Sequence, residues 1–99
     1  MSEEQGFRVA DNAGASRYEL FIADELAGFA DYKLGPRTIL LPYIEVDPAL
    51  QGRGFASRFT AEILADCRAR GLMVKATCPF IVDYLRSHPE YDDLTAPRA

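Results

Sequence analysis

A chain of 99 residues that is 48% hydrophobic and 26% charged is expected to fold as one domain, residues 1–99, with a core that needs no metal or disulfide framework. Its net charge of −4 and pI near 4.9, with the eleven Lys and Arg residues scattered, leave no basic face for a nucleic-acid duplex and tolerate a cationic substrate. No apolar run approaches the roughly 20 residues of a membrane-spanning helix, and Met1-Ser2-Glu3-Glu4-Gln5 lacks the basic and apolar regions of a secretion signal, so a cytoplasmic protein with no membrane partner is expected.

In chain order, Phe7 to Asp11 alternates like a strand and stops at the turn cluster Asn12-Ala13-Gly14. Tyr18 to Ile22 and Leu26 to Tyr32, rich in aromatic and branched residues, form a predicted hairpin around Ala23-Asp24-Glu25, and Gly35-Pro36 breaks the run. Thr38 to Val46 is almost continuously apolar, the pattern of a central strand covered on both faces, except that Pro42 has no N–H for a ladder and predicts a bulge or an unpaired position. From Arg53 to Arg70 the period becomes helical, with Phe55, Phe59, Ile63 and Cys67 on one stripe, Ala56 and Leu64 beside it, and Gly71 as the stop. Leu72 to Thr77 reads as a short buried strand, and Pro79 opens a second helix whose Ile81, Tyr84 and Leu85 face the core. The termini, 1–6 and 93–99, are expected to fray. Cys67 and Cys78 have no Cys or His at metal-ligand spacing, so two reduced thiols and no metal site are expected.

This order of elements predicts an α/β (α+β) fold: a mixed, mostly antiparallel sheet in which Thr38–Val46 and Leu72–Thr77, joined through the long helix, form a parallel pair with a right-handed crossover. A wedge opening past the ends of that pair is where a ligand would enter. At its mouth lies Gln51-Gly52-Arg53-Gly54-Phe55-Ala56-Ser57, between strand and helix. Gly52 and Gly54 let several backbone N–H groups point outward together at the positive end of a helix, which suits an anion. The loop lacks the Gly-Lys-Ser/Thr of a Walker A motif, and Ser57 stands where a dinucleotide-binding fingerprint needs its third glycine.

The spacing of Gln51, Gly54 and Ala56, together with Cys78-Pro79-Phe80 and His88-Pro89-Glu90-Tyr91, resembles the compact, stand-alone members, of about a hundred residues, of the GCN5-related N-acetyltransferase family (GNAT). The resemblance implies a minimal GNAT fold with acetyl-coenzyme A in the wedge. Its pyrophosphate would lie on the backbone from Gly52 to Ser57, after Gln51, and its pantetheine arm alongside Ile44, Glu45 and Val46. It also implies transfer of acetyl to an amine acceptor of unknown identity by a monomer or weak dimer. Relatives of this kind commonly carry His-Thr where this chain has Tyr43-Ile44, so a role for that histidine is lost here.

Each candidate residue has two readings. Arg53 either reaches a cofactor phosphate or is a solvated side chain. Glu45 is a base for the amine or a strand-end carboxylate facing water. Tyr84 is the acid for the leaving thiolate or a core residue. Cys78, at a helix start that favours a thiolate, is an acyl-accepting nucleophile or packs beside the acyl group during direct transfer. Cys67 is read as packing and His88 as a tether for the tail. The competing functions are a coenzyme A-binding module without transfer activity and an interaction subunit that uses the fold as a scaffold.

Overall fold

The structure, a computed structural model, describes residues 6–95. Five strands, β1 (Arg8–Asn12), β2 (Arg17–Ile22), β3 (Glu25–Leu34), β4 (Thr38–Val46) and β5 (Met73–Ala76), form one mixed α/β sheet in the order β1-β2-β3-β4-β5. The first four are antiparallel neighbours and β4 pairs parallel to β5, as the sequence predicts. Helix α1 (Phe55–Ala69) connects that pair, and α2 (Pro79–Ser87) and the short α3 (Asp92–Thr95) follow β5.

The turns use local chemistry. Asn12 accepts the Ala15 N–H at 3.2 Å, which closes a 3-10 turn over Ala13–Ala15. The β2–β3 hairpin turns on two residues, Ala23 and Asp24, at φ 51° and 69°, the left-handed pair that matches strand twist, and Glu25 already belongs to β3. Past α1, Gly71 at φ 71° lets Leu72 N–H reach the Cys67 carbonyl at 2.9 Å, the expected helix stop.

Pro42 acts as predicted. The register pairs Asp31 with Tyr43 and Lys33 with Leu40, so Leu41 and Pro42 together oppose Tyr32 in a bulge. On the other side the β4–β5 ladder ends at Leu41, whose carbonyl accepts the N–H groups of Thr77 (3.2 Å) and Cys78 (3.4 Å). Pro42 offers no donor to continue it, and β4 runs on to Val46 without β5. The sheet forks there.

One expectation is corrected: among the described residues, β4 is covered on one face only. Ile39 and Leu41 are buried, whereas Tyr43 and Glu45 are exposed. Both α1 and α2 pack against β4 and β5 and against each other, so the buried side chains of the strands (Tyr18, Leu20, Ala30, Tyr32, Ile39, Leu41, Val74) share the helix side. Phe55, Phe59, Ile63 and Cys67 are buried along the predicted stripe with Thr60 and Leu64, and each large side chain there contributes about 1.5–3 kcal/mol by leaving water. Thr60 satisfies its hydroxyl on the Ala56 carbonyl at 2.8 Å. Burial pushes the Cys67 thiol up to about 11, consistent with packing. The α1 helix begins at Phe55, not Arg53, because Gly54 at φ 79° is its cap.

Where a frayed tail was expected, Asp92–Thr95 is helical and Leu94 is buried, with Arg68 of α1 donating to the Glu90 carbonyl at 2.9 Å and pairing with Asp93. Residues 1–5 and 96–99, also expected to fray, lie outside the described residues. No helix among the described residues is long and apolar enough to cross a membrane.

Candidate functional site

The fork in the sheet creates the site. Past Leu41, β4 still alternates: Ile44 and Val46 turn toward the helices, and Tyr43 and Glu45 toward the opposite face. Gly28, opposite Val46, allows β3 to come this close: a Cβ on Gly28 would lie 2.5 Å from the Glu45 carbonyl oxygen and 3.2 Å from Val46. Asp47 then caps a 3-10 turn, Pro48–Leu50, by accepting the Ala49 N–H at 2.9 Å, and the chain swings through the glycine pair into α1.

Between these elements lies a cavity of about 370 Å³. β4 contributes Ile44 and Val46, the loop contributes Leu50, Gln51 and Gly52, and the α1 start contributes Gly54, Phe55, Ala56 and Ser57, with Phe80 of α2 closing the wall. Arg53 does not line it, and among the described residues it makes no ion pair. Leu50 and Phe80 are lining residues that sequence reasoning missed. Phe80 stood inside the Cys-Pro-Phe motif and was the available signal.

The loop is chemically a row of donors. Gly52 and Gly54 both have positive φ, 86° and 79°, and a Cβ on either would meet no atom within 4 Å, so both face open space. The cap of α1 has no side-chain hydrogen bond. Among the described residues the N–H groups from Gly52 to Ser57 find no protein acceptor, and the first intrahelical bond is Arg58 N–H to the Gly54 carbonyl at 3.0 Å. Free N–H groups at the positive end of a fifteen-residue helix can hold a pyrophosphate-like anion, and the apolar walls beyond suit a thin aliphatic arm.

The three catalytic candidates surround the cavity without lining it. Cys78 is a buried free thiol at the cap of α2, fixed to the fork by its N–H to Leu41. Glu45 lies on the uncovered face, where it accepts a 2.6 Å hydrogen bond from the Tyr43 hydroxyl. That bond, foremost, raises the Tyr43 pKa. Tyr84 lines an adjoining hollow with Asp83 and His88, next to Ser57 and Phe80, which border both cavities. Burial, with Tyr91 nearby, pushes its hydroxyl up to about 12, so it stays protonated at neutral pH. His88 stacks on Tyr84 at 3.8 Å between ring centroids, and its Nδ1 lies 2.7 Å from the Tyr84 carbonyl, which only accepts, so Nδ1 carries the proton. It tethers the chain after α2.

A mixed sheet whose parallel pair parts over a glycine-loop helix start defines the GNAT class of fold. The chain belongs to the GCN5-related N-acetyl-transferase family, whose model matches residues 17–94. No curated protein matches its sequence. Among solved structures it is similar to a GCN5-like protein from Staphylococcus aureus, at 16% identity and a TM-score of 0.70 over 95% of this chain and 92% of that one. It is also similar to a GNAT-family protein from Desulfovibrio desulfuricans, at 27% identity and a TM-score of 0.57 over 72% of this chain and 52% of that one. Ard1 from Thermoplasma volcanium matches at 21% identity and a TM-score of 0.54, over 62% of this chain and 43% of that one. The chain therefore spans about half the length of two of these proteins and nearly all of the third.

Proposed function

We propose that the chain binds acetyl-coenzyme A in the cavity at the fork and transfers its acetyl group to an amine. The observation that carries this reading is the row of unpaired N–H groups from Gly52 to Ser57 opening on a cavity with apolar walls. The group fits: two glycines leave room that any side chain would fill, and the donors are oriented before a ligand arrives. Bound there, acetyl-coenzyme A supplies an acetyl thioester that is open to attack. Gln51, Gly52, Gly54, Phe55, Ala56 and Ser57 would hold the pyrophosphate end, Arg53 would add a positive charge beside it, and Ile44 and Val46 would guide the pantetheine arm.

Glu45 takes the proton that makes the amine nucleophilic. Tyr84, protonated at neutral pH, serves the departing sulfur as a hydrogen-bond donor rather than as a strong acid, because proton loss from a group near 12 to a thiolate is uphill. Cys78 would pack near the acetyl group rather than attack it, a role its burial and fixed N–H favour. Two buried, reduced thiols suit a protein of the cytoplasm.

A second reading, a coenzyme A-binding module without transfer, draws on the fact that neither Cys78, Glu45 nor Tyr84 lines the cavity. Thiol release from acetyl-coenzyme A with a panel of primary amines separates the two. Amine-dependent release supports transfer, and tight binding without release leaves the module.

A further inference from the structure

The uncovered face of the sheet carries a pair of residues that do not line the cavity. Tyr43 and Glu45 sit two residues apart on the free end of β4, past the point where β5 has left. Tyr43 is 46% exposed, yet its hydroxyl donates to Glu45 Oε1 at 2.6 Å, so that oxygen is held, and among the described residues Oε2 is left open. Phe29, across the strands from Glu45, places its ring 5.9 Å from that of Tyr43, and Asp31 is the direct cross-strand neighbour of Tyr43. Arg17 stacks over Phe29 and pairs with Glu19, and among the described residues neither it nor Lys33, two residues on from Asp31 on the same face, pairs with Glu45. The raised pKa of Tyr43 agrees with a hydroxyl that keeps its proton on this bond.

The geometry points to Tyr43 as the residue that positions Glu45 for the acceptor amine, which approaches from the uncovered face of the sheet against the Tyr43 and Phe29 rings. This rests on the transfer reading above. On this route the acceptor's ammonium gives one proton to Glu45 Oε2. The nitrogen lone pair then forms a bond to the acetyl carbon, the carbon–sulfur bond breaks, and the second nitrogen-bound proton leaves with the thiolate as the free thiol. Tyr43 touches neither the acetyl group nor the leaving sulfur, and its effect passes through Glu45. The aromatic pair gives the acceptor's carbon chain a surface, and Asp31 adds negative charge beside it, which suits a cationic aliphatic amine.

Single-amine kinetics with n-butylamine as acceptor, on Tyr43→Phe, Glu45→Gln and the double variant, test this. Tyr43→Phe keeps the ring at an exposed position and should lower kcat about tenfold, and Glu45→Gln about a hundredfold, the lower end for a general base. The Michaelis constant for acetyl-coenzyme A should stay within about twofold. The double variant should be no slower than Glu45→Gln, because the hydroxyl has nothing left to position. A wild-type rate in Tyr43→Phe overturns the inference, and so does a double variant slowed by the full product of the two losses. No amine-dependent release by a protein that binds acetyl-coenzyme A in calorimetry also overturns it while leaving the cofactor site intact, whereas failure of the wild type to bind acetyl-coenzyme A overturns the reading beneath it.

Discussion

The hydroxyl of Tyr18 donates to the Asp66 carboxylate at 2.6 Å across 48 residues of sequence and so joins strand β2 to the second half of helix α1. Arg70 completes the joint, with its Nη1 3.1 Å from Asp66, 3.2 Å from the Tyr18 hydroxyl and 3.1 Å from Asp11, which in turn accepts from Tyr32 at 2.6 Å. This network fixes the end of α1 away from the glycine loop. Tyr18→Phe keeps the ring packing and removes the donor, and because Asp66 is part-exposed water offsets some of the loss. The expected cost is about 1 kcal/mol, read as a fall of about 4–8 °C in Tm for a chain of this size.

The same network sets an alkaline limit. Burial and the bond to Asp11 push Tyr32 up to about 12 from an ordinary 10.0, and burial with Asp66 raises Tyr18 as well. The unfolded chain therefore gives up these protons first, and the stabilisation, complete below pH 10, falls as pH rises from 10 toward 12. Urea midpoints measured across that window should decline together with growth of the phenolate absorbance. Ionisation of Tyr18 or Tyr32 itself at the ordinary pH in a folded protein, read residue by residue by NMR, would contradict the network.

Gly28 is the close approach that lets β3 hold the cavity wall. Gly28→Ala places a Cβ 2.5 Å from the Glu45 carbonyl and must displace the Glu45–Val46 backbone. A stability loss of about 1–3 kcal/mol is expected, together with weaker acetyl-coenzyme A binding, because Val46 lines the cavity. Denaturant titration and calorimetry on the one variant check both.

The glycine loop was legible because a turn that needs positive φ and a helix onset are local, and Gly52 and Gly54 announce both. Pro42 likewise marked the fork, since a missing donor is a property of one residue. The coverage of β4 was not local. Ile39, Leu40 and Leu41 read as a strand buried twice, but whether a second face is covered depends on where α2 returns, and it returns beside α1. Tyr18, Asp66 and Arg70 gave no sign of one another, because their partnership exists only once α1 lies across the sheet. Tyr43 was seen only as a departure from a family pattern. Its bond to Glu45 follows from the two-residue period of an exposed strand end.

Cys78→Ala should retain its single-turnover rate within about threefold and lose about 1 kcal/mol of stability, the outcome for a buried packing residue. Intact-mass measurement of the wild type during turnover is the companion experiment. An acetylated protein that forms and decays fast enough to lie on the route would instead make Cys78 the nucleophile.

The central claim is that the backbone from Gly52 to Ser57 holds the anionic end of acetyl-coenzyme A, and calorimetric titration of Gly54→Val against the wild type tests it most directly. At φ 79° a valine strains the backbone by about 1–2 kcal/mol, yet its side chain meets no protein atom, so a folded variant with a lower Tm is expected. The side chain fills the space where the pyrophosphate would lie and displaces charge-assisted hydrogen bonds together. Affinity should therefore fall by more than about 2 kcal/mol, roughly thirtyfold in Kd, and pantetheine without the pyrophosphate should bind the wild type far more weakly than the whole cofactor. A folded Gly54→Val variant that binds acetyl-coenzyme A with wild-type affinity would show that the anion is held elsewhere.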